Sequence, residues 1–193
     1  MRCLHLRPKR RHAADSRNAW VDRPRALRNG GAIVRIAFLD RDGVLNVDQG
    51  YGHQVSDLVW MPEAREAVKW LNEEGILVAV VTNQSGIGRG FYSHGEYEDF
   101  MAAMTSQLEE VGAHLDAVYF CPHLPEDDCD CRKPRPGMIL RGLREFNADA
   151  QDCFLLGDKP SDMEAALAAG VQGVLYEGGS VLEAVRRAAR TSR

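Results

Sequence analysis

An α/β fold, with a parallel sheet covered by helices on both faces, is predicted by three observations. Short apolar runs alternate with helical patterns from residue 33 onward. The runs are almost continuously apolar, as in strands buried on two sides, where half-exposed strands would alternate. Each of the first four runs ends in a cluster of polar residues, and in open parallel sheets ligands gather at the carboxyl ends of the strands.

The strands are expected over residues 33–39, 76–81, 117–120, 153–156 and 173–176. Between the first two, Pro62 opens a helix with Ala64, Ala67, Val68 and Leu71 on one face. Ser93 with Glu96 predicts a capping box for the next helix, and Ser161 with Glu164 another. Gly170 is placed to close that last helix in a left-handed turn. The polar clusters are Asp40 and Asp42, then Thr82 to Ser85, then Cys121 to Lys133, then Gly157 to Lys159. Four strand ends are thereby expected to meet at one crevice.

With 193 residues, 45% of them hydrophobic, the chain suits one ordinary domain. No stretch of eighteen apolar residues exists, so no membrane span is expected. The first thirty residues lack the apolar core of a secretory signal, from which a cytoplasmic protein is expected. Charge is unevenly distributed: residues 1–31 hold nine Lys or Arg and two Asp, net +7, while the remainder holds fifteen basic and twenty-six acidic residues, net −11. Residues 1–32 are read as a basic, disordered tail, or as the result of an upstream start, and 33–193 as the folded domain. The acidic body disfavours nucleic acid as a partner, and a monomer acting on a small phosphorylated molecule is expected.

The stretch FLDRDGVLNVD, residues 38–48, places two carboxylates two residues apart at the exit of a buried strand. Asp-Gly alone is a common turn. A calcium loop starting at Asp40 would need Gly sixth and Glu twelfth, where Leu45 and Tyr51 stand. Asp158 brings a third carboxylate to the same rim, and three carboxylates call for a hard divalent cation, Mg²⁺ above all. Thr82 adds a hydroxyl and Lys133 a positive charge, the groups that hold a phosphoryl group during transfer. Together they point to phosphoryl transfer through an aspartyl-phosphate.

In CPHLPEDDCDCRKP, Cys121, His123, Cys129 and Cys131 form a compact set of three sulfurs and an imidazole, the ligand set of structural zinc. Cys129 and Cys131 lack the Cys-x-x-Cys spacing of a redox pair. Because the cluster runs straight into Arg132 and Lys133, zinc would fix the position of the lysine.

FLDRDGVLNVD, VVTNQSGIGRG, RKPRPGM and LLGDKPSD resemble, in order and spacing, the four motifs of haloacid-dehalogenase (HAD)-like phosphatases. The resemblance covers residues 33–176. It implies a HAD-like Rossmannoid sheet, Asp40 as nucleophile, Asp42 as general acid and base, and Thr82 and Lys133 as phosphoryl clamps. It further implies Mg²⁺ held by Asp40, the Asp42 backbone carbonyl and Asp158, with Asp162 assisting from behind. Residues 46–60 and one helix are too short for a large cap domain, so an open crevice walled by the zinc loop is expected. Among capless, zinc-bearing members, the chain resembles the heptose-bisphosphate phosphatases of nucleotide-heptose synthesis more extensively than the histidinol-phosphate phosphatases. That resemblance implies substrate contacts from Asp48, Gln49, Gly50, Tyr51, Asn83, Gln84 and Ser85, with Arg132 and Lys159 available for a distal phosphate or ring hydroxyls. Histidinol phosphate is the alternative substrate, a DNA 3′-phosphate a distant third, and a zinc-stabilised binding module the non-enzymatic alternative.

Overall fold

The computed structural model describes residues 19–20 and 33–191. Most of the basic segment, including Cys3 and Ser16, therefore lies outside the described residues, as does its expected disorder. The sheet has six strands in the order β1-β4-β3-β2-β5-β6. These are β1 (Ala19–Trp20), β2 (Ile36–Leu39), β3 (Leu77–Asn83), β4 (Ala117–Cys121), β5 (Phe154–Gly157) and β6 (Gln172–Leu175). The last five are parallel; β1 pairs antiparallel with β4.

Alternation along the strands sorts the core into two layers. Ala37, Leu39, Val78, Val80, Val118, Phe120 and Leu156 face one side, where α1 (Ala64–Glu73), α3 (His94–Glu109) and α6 (Val181–Thr191) pack. Ile36, Phe38, Ala79, Val81, Tyr119 and Leu155 face the other, under α4 (Gly137–Phe146) and α5 (Pro160–Ala169). The short α2 (Ser85–Gly88) follows directly on β3. Both faces of the sheet are thus covered, as the uniform apolar runs require.

The predicted face of α1 is the buried one, Ala64, Ala67, Val68 and Leu71. Ser93 and Glu96 form the expected capping box on α3, and Gly170 ends α5 with φ 75°. Several details differ from the sequence reading: Ala19–Trp20, within the segment expected to be disordered, pairs with β4, and strand bounds shift by one to three residues. The first strand begins at Ile36, because Ile33 is 71% exposed and has no core to join. β3 runs on to Asn83, which is in register with Cys121 of β4. The cap of α5 is not Ser161: the helix starts at Pro160, and the Asp162 carboxylate accepts the Lys159 N–H at 3.0 Å.

Between β2 and α1 lies only a loop with two isolated bridges and one 3₁₀ turn, and no large cap domain is present. Among the described residues no helix is long and apolar enough to cross a membrane.

Candidate active site and cysteine cluster

β2 occupies the middle of the sheet, so its carboxyl end opens where the neighbouring strands β3 and β5 also end. Asp40 is the residue after β2, and its backbone N–H is held by the Leu156 carbonyl of β5 at 3.0 Å. Its Oδ1 accepts the Arg41 N–H at 2.8 Å and lies 3.0 Å from Lys133 Nζ. Asp158, just beyond β5, and Asp162, in the first turn of α5, bring their carboxylates to the same place. Ligand oxygens of Asp40, Asp158 and Asp162 all lie within 4.8 Å of one another.

Two glycines make this crowding sterically feasible. A Cβ on Gly43 would overlap the Asp158 carboxylate, and φ there is +94°. A Cβ on Gly157 would overlap Asp162. Side chains at either position would push a carboxylate out of the cluster.

One buried cation serves the group. Lys133, 4% exposed, reaches Asp40 at 3.0 Å and Asp162 at 2.6 Å, and donates to the Val81 carbonyl at 2.8 Å. Burial alone would lower its pKa, but the two aspartates outweigh that and raise it. The carboxylates are under the opposite pressure. Burial, opposed by Lys133 and reinforced by Asp162 and Asp42, pushes Asp40 up to about 7. Burial likewise raises Asp158 against the pull of Lys159, which approaches only to 3.9 Å. Asp158 Oδ1 is buried without a hydrogen-bond partner. Three carboxylates against one ammonium, with an unpartnered oxygen among them, form an oxygen-rich set suited to a divalent cation such as Mg²⁺.

The Asp42 carboxylate is not part of that set. Arg41 grips it through Nε at 3.0 Å and Nη2 at 2.9 Å, Asn46 Nδ2 donates to it at 3.0 Å, and Gln84 Nε2 at 2.8 Å. Arg41 is itself buried, with its guanidinium 4.5 Å from the Phe100 ring centre and 5.6 Å from that of Tyr97. Gln84 Nε2 also donates to Thr82 Oγ1 at 2.8 Å, and Tyr92 OH donates to Gln84 Oε1 at 2.5 Å. Arg41, Asn46 and Tyr92 were not legible as site residues, because an arginine between two aspartates reads as solvated charge, Asn46 is an uncharged residue within the first motif and Tyr92 lies outside any motif. Asp162 was read too peripherally: it contacts Lys133 directly.

Asn83 and Gln84 depart from the expected contact with substrate. The Asn83 amide accepts the Lys133 N–H at 3.0 Å and donates to the Lys133 carbonyl at 3.0 Å, clamping that residue's backbone. Gln84 is 2% exposed and spends its donors inside the protein. The remaining candidates are exposed or half-buried. Lys159 pairs with Asp48 at 2.9 Å, and Gly50 N–H also donates to Asp48. Burial works against it, yet these bonds hold Asp48 below its ordinary pKa. Tyr51 and Phe91 are exposed and meet edge to face at 4.7 Å. Gln49 bonds to the Asp57 carbonyl, Ser85 is half-buried at the start of α2, and Arg132 donates to the His123 carbonyl at 3.3 Å.

The second cluster stands on the loop after β4. Cys121 Sγ lies 3.5 Å from both His123 Nδ1 and Cys129 Sγ; Cys131 Sγ is 3.3 Å from His123 Nδ1 and 3.5 Å from Cys129 Sγ. A tetrahedron with Zn–S of about 2.3 Å and Zn–N of about 2.0–2.1 Å has edges of roughly 3.6–3.8 Å, close to these values. The shared hydrogen bond between Cys121 and Cys131 raises the first thiol, while Cys131 is pushed down to about 5. The donor set thus fits a thiophilic ion, and Lys133 lies two residues beyond its last sulfur.

A family model described as HAD-hydrolase-like matches residues 130–192. The D-glycero-β-D-manno-heptose-1,7-bisphosphate 7-phosphatase of Haemophilus ducreyi is 41% identical over 145 residues, 72% of this chain and 80% of that protein. The enzyme of the same name from Pasteurella multocida is 41% identical over 149 residues, 74% and 81% of the two chains. Among solved structures, D,D-heptose 1,7-bisphosphate phosphatase from B. bronchiseptica, complexed with magnesium and phosphate, superposes with a TM-score of 0.73 at 31% identity, covering 80% of this chain and 87% of that one. The chain belongs to the HAD-like phosphatases, in the family of the heptose-1,7-bisphosphate 7-phosphatases.

Proposed function

We propose that the protein removes the C7 phosphate of D-glycero-β-D-manno-heptose 1,7-bisphosphate through a covalent aspartyl-phosphate. The observation that carries the reading is the meeting of Asp40, Asp158 and Asp162 around Lys133 at the carboxyl end of the central strand. The β anomer follows the names of the relatives above.

Asp40 is the nucleophile. Its carboxylate oxygen bonds to phosphorus as the bond from phosphorus to the C7 oxygen breaks, and Asp42 gives the departing oxygen its proton. Asp42 then takes a proton from water, which attacks the same phosphorus and releases inorganic phosphate from Asp40. Lys133 and Thr82 stabilise the charge that grows on the phosphoryl oxygens. Thr82 Oγ1 already accepts from Gln84, so its own hydrogen is left to donate to the phosphoryl group.

Asp40, Asp158, Asp162 and the Asp42 backbone carbonyl are the residues that would hold Mg²⁺, which neutralises the repulsion between the phosphate and the carboxylates that approach it. Cys121, His123, Cys129 and Cys131 would hold structural zinc, whose function is positional. It braces the loop that carries Lys133, while the Asn83 clamp fixes the same residue from β3. At the rim, the loop from Asp48 to Tyr51, together with Ser85, Arg132 and Lys159, would face the sugar and its second phosphate.

Asp40→Asn is expected to lower phosphate release by at least about a thousandfold with little change in melting temperature. Turnover retained within tenfold or so of wild type would exclude the covalent route. Cys129→Ser should lower both the zinc content, measured by elemental analysis, and the thermal stability; an unchanged zinc content would remove the cluster from the account. Of the β- and α-anomers of the heptose bisphosphate, histidinol phosphate and a 3′-phosphorylated oligonucleotide, the β-anomer should show the highest kcat/KM, and a higher value for any other would replace the substrate assignment.

A further inference from the structure

Among the described residues, Gln84 is the one side chain that touches both the Asp42 carboxylate and the Thr82 hydroxyl, each at 2.8 Å through Nε2. Both hydrogens of its amide are thereby used. A primary amide can turn over by half a rotation at little intrinsic cost, and the turned form would set Oε1 against a carboxylate and leave Thr82 without that donor. Beside that repulsion, a donor aimed at Oε1 opposes the turn, and Tyr92 OH supplies it at 2.5 Å.

The surroundings hold the phenol there. Tyr92 is buried in the segment between α2 and α3, and Gly86 leaves room for its ring, since a Cβ at Gly86 would overlap Tyr92 Cε1. The His53 ring stacks on it at 4.9 Å and 10°. Burial, opposed by Arg41, pushes the phenol up to about 12, so it remains an O–H donor across neutral pH.

We propose that Tyr92 is a positioning residue for the phosphatase reaction: through Gln84, its hydroxyl holds the acid–base Asp42 and the clamp Thr82 in register with each other. The inference rests on the roles proposed above for those two residues. Tyr92 does not touch the reacting atoms. It sets the direction of one amide, and that amide orients two groups that act on the same phosphoryl transfer, one on the leaving oxygen and one on the phosphoryl oxygens.

Tyr92→Phe removes the hydroxyl and keeps the ring, so packing against Gly86 and His53 survives. Its kcat on the heptose bisphosphate should fall about tenfold, with KM within about twofold, and with melting temperature and zinc content as in wild type. On p-nitrophenyl phosphate, whose leaving group needs no proton, the loss should be smaller. Gln84→Ala should lose at least as much, and adding Tyr92→Phe to it should change kcat by less than about twofold, because the two residues act as a unit. A Tyr92→Phe enzyme with wild-type kcat, equal losses on both substrates, or losses that multiply in the double variant would overturn the inference. A wild type active on p-nitrophenyl phosphate but not on the heptose bisphosphate would instead overturn the substrate, and the double-variant comparison on the former would still decide the role of Tyr92. A wild type inactive on both would overturn the phosphatase reading and the inference with it.

Discussion

Asp40, Asp158 and Asp162 converge on a single ammonium, that of Lys133. Taken as ionised, they leave about two negative charges uncompensated in a place with little water. Burial first, and then the neighbouring carboxylates, push Asp40 and Asp158 upward. Such a site relaxes by taking up a proton or a divalent cation. In the proposed reaction the phosphoryl group would add more negative charge to the same spot, and a divalent cation would offset the repulsion while leaving Asp40 ionised.

Much of the architecture serves to hold that arrangement. Strand ends bring the residues near one another, and two small positions, Gly43 and Gly157, let Asp158 and Asp162 close in. Lys133 is fixed from two directions, by the Asn83 amide on its backbone and by the Val81 carbonyl at its tip. Asp42 is held apart by a different set, Arg41, Asn46 and Gln84. Asp40 and Asp42 are thus two residues apart in sequence and served by separate networks.

The parallel sheet, the apolar face of α1, the caps at Ser93 and Gly170 and the clustering of Cys121, His123, Cys129 and Cys131 were legible in the sequence, because each rests on local spacing. The ordered motifs likewise located Asp40, Thr82, Lys133 and Asp158. What escaped were contacts between residues far apart in the chain. The reach of Asn83 to Lys133 spans 50 positions and that of Gln84 to Asp42 spans 42, and no periodicity encodes either. Both were read as facing the substrate because they follow a strand end, yet their amides turn inward. Arg41 was passed over for a related reason: its burial depends on the Phe100 and Tyr97 rings of α3, which the sequence does not place beside it. The cap of α5 was misplaced by two residues because Pro160 moves the helix start and frees Asp162 for both the cap and Lys133.

The charge imbalance makes a prediction that needs no substrate. In magnesium-free buffer the folded state keeps a proton on Asp40 up to about 7, while the unfolded chain loses it near 3.8. Across that window Asp40 binds more protons folded than unfolded, so its contribution to stability falls as pH rises through it. The decisive measurement is the melting temperature at about pH 5 and about pH 8, with and without Mg²⁺. At the higher pH, magnesium at about a hundred times its Kd should raise the melting temperature by about 5–10 °C, and at the lower pH by much less. Equal melting temperatures with and without magnesium at the higher pH would contradict the account of the carboxylate cluster as a cation site.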